Sequence, residues 1–265
     1  MHSFNVNNLV FVSLMLTVLL REAYATLPVL LGTLGENDLT EGCQSYIHQV
    51  LASDDFQACK PFSFYLTLSR GFADLAKNAS SIAPVIDEIC VPGSDKMCEK
   101  VFKDMRSEFV KTQYCGNDMK KGNKVATTMY ISFVNYHLMQ RAGCLKNPED
   151  EYCFVEAVTR RSQLDVFFMP YGHQLGNGKN GVPQLCTSCS QQIMNLYSRF
   201  GSQYLNPLRK SFDSSKMLMT QQCGNAYAKM LKNHMNSASS MHPFLPTLIW
   251  LTLTTLVATL FRDIM

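Results

Sequence analysis

Ten cysteines, and where they fall, constrain this chain more than any other feature. Cys43, Cys59, Cys90, Cys98, Cys115, Cys144, Cys153, Cys186, Cys189 and Cys223 all lie in the interior, and neither apolar end carries one. An even count between export-type ends predicts five disulfides, made in an oxidising compartment. Each bridge typically contributes about 2–4 kcal/mol, largely by restricting the unfolded chain. The cysteines form two successive runs of five, and each run closes on the same tripeptide, Cys115-Gly116-Asn117 and Cys223-Gly224-Asn225. The other spacings match poorly, so duplication and coincidence both stay open. An odd number per run still requires a bridge between the runs, which predicts one unit. The pairing itself is not legible.

The two ends read as processing signals. Leu9 to Leu20 is an apolar run followed by Arg21, Glu22 and the small-x-small triplet Ala23-Tyr24-Ala25. That pattern predicts a signal peptide over residues 1–25, although its n-region lacks Lys and Arg. At the other end, Phe244 to Phe261 carries no charge, and a run of small residues, Asn236-Ser237-Ala238-Ser239-Ser240, precedes it. Small residues, a spacer and an apolar tail predict GPI attachment at Asn236, with Ser237 as second choice, and removal of residues 237–265. A single-pass helix is the rival reading. Pro246, five threonines and the lack of a basic cluster after the tail weigh against it.

Residues 26–236 then form the mature domain, long enough to bury a real core. Removing Arg21, Glu22, Arg262 and Asp263 leaves the net charge at the +3 of the whole chain. No basic patch advertises nucleic acid. The sequon Asn78-Ala79-Ser80 predicts N-glycosylation of Asn78, in a loop between helices.

Hydrophobic spacing predicts a mainly α, disulfide-braced domain with one short β-hairpin. Asp38-Leu39-Thr40-Glu41 starts a helix carrying Cys43, Tyr46, Ile47 and Val50 on one side. Pro61 precedes a second, Phe62 to Leu75. Ser94-Asp95 caps a third, with Phe102, Met105 and Phe109 at helical spacing. Val125, Met129, Phe133 and Tyr136 mark a fourth, apolar on several faces and so central. Ile193, Tyr197, Phe200 and Tyr204 mark a fifth, and Lys216 to Leu231 a sixth. Tyr152 to Thr159 and Leu164 to Tyr171, rich in aromatic and β-branched residues, read as the hairpin.

No catalytic constellation stands out. Gly176-Asn177-Gly178-Lys179-Asn180-Gly181 matches a dinucleotide loop in letters only, since Val182 and Pro183 follow where a helix should start. Cys186-Thr187-Ser188-Cys189 has redox or zinc spacing, but without a second pair it reads as two structural half-cystines. His48, His137, His173 and His234 are scattered, and His137 reads as a packed core residue. Asp54-Asp55, Asp87-Glu88 and Glu149-Asp150-Glu151 read as solvated turns rather than a glycosidase pair. No catalytic residue, metal site or cofactor is expected. Met217-Leu218-Met219 would suit an apolar pocket but reads as core filling.

Cys43 and the segment Asp55-Phe56-Gln57-Ala58-Cys59-Lys60-Pro61-Phe62-Ser63 resemble a fungal family of cysteine-rich, secreted, GPI-anchored surface proteins. The likeness continues through Tyr152-Cys153-Phe154-Val155-Glu156-Ala157-Val158, Cys186-Thr187-Ser188-Cys189 and Cys223-Gly224, covering residues 27–228. It implies kingdom and location and supplies no catalytic residue. This chain lacks the Ser/Thr-rich stretch that often precedes the tail in that family. The expected role is a non-enzymatic surface protein in wall organisation, adhesion or surface interaction. Its partners would be the membrane through the lipid anchor and cell-wall polysaccharide or another surface protein. Capture of a lipid, sterol or haem is the alternative, and a carbohydrate-active hydrolase ranks third.

Overall fold

A computed structural model describes residues 27–30, 38–91, 95–160, 163–175, 186–200 and 207–224. Within them the chain is a helical assembly, and its one β feature is an isolated bridge between Lys146 and Tyr152. The first half holds α1 (Glu41–Ala52), α2 (Asp54–Ala58), α3 (Phe62–Leu68), α4 (Arg70–Leu75), α5 (Ala79–Ile89) and α6 (Asp95–Phe109). Then come α7 (Gly116–Lys120), α8 (Lys124–Gly143), α9 (Cys153–Arg160), α10 (Asp165–Phe168) with a 3-10 turn (Met169–Tyr171), α11 (Ser188–Phe200) and α12 (Pro207–Cys223).

Helix α1 forms where its cap signal placed it and buries Cys43, Tyr46, Ile47 and Val50. Its N-cap works differently from the usual one. Thr40 turns its backbone N–H and hydroxyl outward to donate to the two carboxylate oxygens of Asp118, at 3.0 and 2.7 Å. Asp118 is itself buried on α7, so a carboxylate 78 residues away satisfies the helix start.

The expected helix from Phe62 to Leu75 is two helices. Ser69 is extended (φ −116°, ψ 112°), and its hydroxyl accepts from the Phe72 N–H while donating to the Val29 carbonyl. A residue that caps a new helix this well ends the old one. Pro61 is the N-cap of α3 rather than its first residue. Six of the seven α3 residues are buried because the helix lies between two clusters. Phe62, Tyr65 and Leu66 face one, and Phe64 and Leu68 face the other.

Helix α8 runs beside α3 and spans both clusters, with Ala126, Met129, Phe133 and Tyr136 in one and Leu138, Met139 and Ala142 in the other. The central position read from its apolar faces is therefore correct. Gly143 permits the close crossing, since a Cβ there would lie 2.7 Å from the Phe62 ring. A polar seam joins the pair. The Ser63 carbonyl accepts from the Thr67 and Tyr171 hydroxyls at 2.9 and 3.0 Å, and Thr67 meets the Ser132 hydroxyl at 3.0 Å.

The expected hairpin is wrong. Tyr152 to Thr159 carries α9, and Leu164 to Tyr171 carries α10 and the 3-10 turn. Cys153 through Val158 are all buried, so the run shows no alternation of inside and outside. Short apolar runs of this kind do not distinguish a buried strand from a buried helix. Helix α12 starts at Pro207, nine residues before its expected start, and ends at Gly224, whose φ of +83° suits glycine. The Ser94 cap, Tyr204 and residues 225–231 lie outside the described residues, while α6 and α11 form around the other residues that predicted them.

Candidate functional site

All ten cysteines are paired, as Cys43–Cys115, Cys59–Cys98, Cys90–Cys144, Cys153–Cys189 and Cys186–Cys223. Cys90–Cys144 alone joins the first run of five to the second, as the odd count per run required. The second and fourth cysteines pair in both runs, but the outer pairings differ, so the doubling is only partial. Cys186 and Cys189 bond to Cys223 and Cys153 and not to each other. They are structural half-cystines, and the redox reading of that CxxC falls.

Bridge exposure is uneven. Cys43, Cys115, Cys59, Cys98, Cys153 and Cys189 are buried, Cys90, Cys144 and Cys223 are half-buried, and Cys186 is exposed. Glu156 lies against the buried Cys153–Cys189 bridge. Its carboxylate accepts from Asn147 Nδ2 at 3.0 Å, pairs with Arg160 Nε at 3.4 Å and lies 3.2 Å from Cys189 Sγ.

The other candidates do not converge. His48 and His173 are exposed on separate elements, His137 is half-buried on α8 rather than fully packed, and His234 lies outside the described residues. Asp54 and Asp55 occupy the first turn of α2, Glu88 pairs with Lys60, and Asp150 pairs with Lys146. Among the described residues no cluster of His, Cys, Asp or Glu could hold a metal ion. Of the methionine segment, Met219 is buried and Met217 is 63% exposed, so the two lie on opposite sides of α12 and do not form a pocket wall. The loop Gly176 to Gly181, the ends 1–25 and 237–265, and Asn236 lie outside the described residues. No described helix is long and apolar enough to cross a membrane.

Asn78 is exposed at the start of α5, and its Oδ1 accepts from the Ser80 N–H and hydroxyl at 2.9 and 2.7 Å. The sequon is thus a helix N-cap as well as a candidate glycan site.

Among the described residues, three surface hollows stand out. One, of about 250 Å³, is walled by the Cys59–Cys98 and Cys90–Cys144 bridges beside Gln140 and Arg141. There Gln140 accepts from the Phe62 N–H and donates to the Ile89 carbonyl, both at 3.0 Å. A second, of about 650 Å³, is an open shelf lined by Asp38, Asp118 and the turn from Lys121 to Val125. The third, of about 460 Å³, is an apolar groove between α4 and α10. Phe72 and Phe154 form its floor with ring centroids 5.6 Å apart, and Lys77 is its one charged lining residue. Lys77 also binds Asp74 at 2.6 Å, and with Arg70 beyond it holds the Asp74 carboxyl below the usual range. Sequence reasoning missed this groove. The signal available was Ala73 and Ala76, small residues one turn apart at the end of a short helix.

The fold and its bridges define a mainly α, disulfide-braced domain, without a described catalytic centre. The chain belongs to the DUF7729 family, a domain of unknown function, which matches residues 26–232. No curated protein and no solved structure matches it.

Proposed function

We propose that this chain is an exported surface protein, held at the outer face of the plasma membrane by a GPI anchor, whose braced domain serves as a non-enzymatic interaction module. The observation that carries the reading is the complete pairing of ten cysteines, two bridges on each side of a single linking one. Such a bridge set persists only where thiols are oxidised, as in secreted proteins. The export and anchor signals at residues 1–25 and 236–265 agree with that compartment. The exposed Asn78 amide agrees with glycosylation in the same route. Cell-wall polysaccharide or another surface protein is the partner class, in keeping with the fungal resemblance.

The test is phosphatidylinositol-specific phospholipase C on intact eukaryotic cells expressing the full chain, with the intact mass of the released material. A soluble species from Thr26 to about Asn236, carrying a glycan-phosphate remnant and five disulfides, is the expected product. Retention on the membrane with residues 244–265 still present by mass overturns the anchor. Loss of mass on enzymatic deglycosylation, absent in Asn78→Gln, tests the sequon. The apolar groove favours a second reading, ligand capture.

A further inference from the structure

The groove between α4 and α10 is built for an apolar occupant with one charged end. Leu66 closes its base beside Phe72 and Phe154, and Leu164 and Phe168 form one wall. The opposite wall is Ala73 and Ala76, so no long side chain fills the space. Its volume of about 460 Å³ falls in the range of small-molecule sites.

The rim sets the polarity of that occupant. Lys77 is the single charged group lining the groove, at its mouth. Its partner Asp74 lies outside the lining, so the charge that faces the groove is the Lys77 ammonium. The Lys77–Asp74 pair is exposed (72% and 59%), and pairs of that kind are held weakly, so Lys77 can re-aim. A carboxylate is matched by a lysine ammonium at such a rim, whereas a cation is repelled.

We propose that the groove binds a long-chain fatty acid, its acyl chain along Phe168 and Leu164 and its carboxylate on Lys77. The site is independent of the anchor, since a chain held by a transmembrane segment would present the same groove.

Photo-crosslinking on cells expressing the full chain tests it, with a diazirine- and alkyne-bearing palmitate analogue and mass-spectrometric mapping of the adduct. The expected result is saturable labelling within residues 66–77 or 164–168, displaced by palmitate and not by hexadecanol or a sterol. Ala73→Trp, at an exposed position, should abolish labelling while all ten cysteines stay oxidised. Lys77→Glu should weaken palmitate competition about three- to ten-fold and Lys77→Arg should preserve it. Labelling that hexadecanol or sterol displaces equally, that survives Ala73→Trp, or that ignores Lys77→Glu overturns the proposal. Failure to label at all does the same, and leaves the anchor reading untouched.

Discussion

The two hydrophobic clusters share α3 and α8, yet they are braced in different ways. Around α1, α2 and α6, Cys43–Cys115 encloses Cys59–Cys98, and all four half-cystines are buried. The packing there is aromatic: Phe102 stacks on Tyr136 at 3.9 Å, and Phe64 meets Phe56 and Phe133 edge-on at 5.0 and 4.9 Å. Around α5, α9, α11 and α12 the bridges overlap instead of nesting, because Cys186 lies inside the Cys153–Cys189 loop. That cluster is richer in aliphatic side chains, Ile82, Val85, Ile86 and Ile89 among them, and its outer bridge ends on exposed Cys186. One half is locked from within its core. The other has one bridge in its core, Cys153–Cys189, and one that reaches its surface.

The strongest way to break this contrast is through α3, whose neighbouring residues serve opposite sides. Phe62→Ala and Phe64→Ala should each cost about 3–5 kcal/mol in chemical denaturation, with one shared transition because α3 and α8 belong to both clusters. Two separate transitions in either variant would make the clusters independent domains. Next, replacing Cys43 and Cys115 together by Ala should cost about 4 kcal/mol, near the top of the usual range, because the loop is long and both sites are buried. Replacing Cys186 and Cys223, which close a shorter loop, should cost about 0.6 kcal/mol less from loop closure. Stepwise reduction with alkylation and mass mapping should open Cys186–Cys223 and Cys90–Cys144 before the nested pair, and the reverse order would dissolve the contrast.

Alkaline pH should strike both halves, and harder the one that holds Tyr65, because burial also raises Tyr171 and Tyr197 there. Burial pushes Tyr46 in one cluster and Tyr65 in the other up to about 12. An unfolded tyrosine ionises near pH ~10. The folded chain therefore holds more protons between about 10 and 12, and stability, full below that window, falls as pH rises through it. Melting curves across the window should flatten in Tyr46→Phe and Tyr65→Phe. Ser69→Ala should have the smallest effect, about 1 kcal/mol, by removing the α4 cap that separates the helix from α3.

Much of this architecture was legible and the rest was hidden for identifiable reasons. Asp38 to Glu41 announced α1, and Val125, Met129, Phe133 and Tyr136 announced α8, because long periodic runs outweigh local ambiguity. Helix α5 was missed because Pro84 sits inside it and the sequon suggested a loop. Cys153 to Val158 were misread because burial on all sides erases the alternation that tells strand from helix. The count of cysteines required a cross-link between the runs, but only packing decides that it is Cys90–Cys144. The groove was illegible because Leu164 and Phe168 meet Ala73 and Ala76 across the fold, not along the sequence.

The bridge set has a mechanical consequence. A covalent route leads from Cys43 to Cys223 through Cys59–Cys98, Cys90–Cys144, Cys153–Cys189 and Cys186–Cys223. It follows the backbone only from 43 to 59, 90 to 98, 144 to 153 and 186 to 189. Every other stretch between those ends lies off the load path. Pulled between Cys43 and Cys223, the domain can lengthen only by these segments, about a fifth of the backbone between them, so tension would bypass most of the fold.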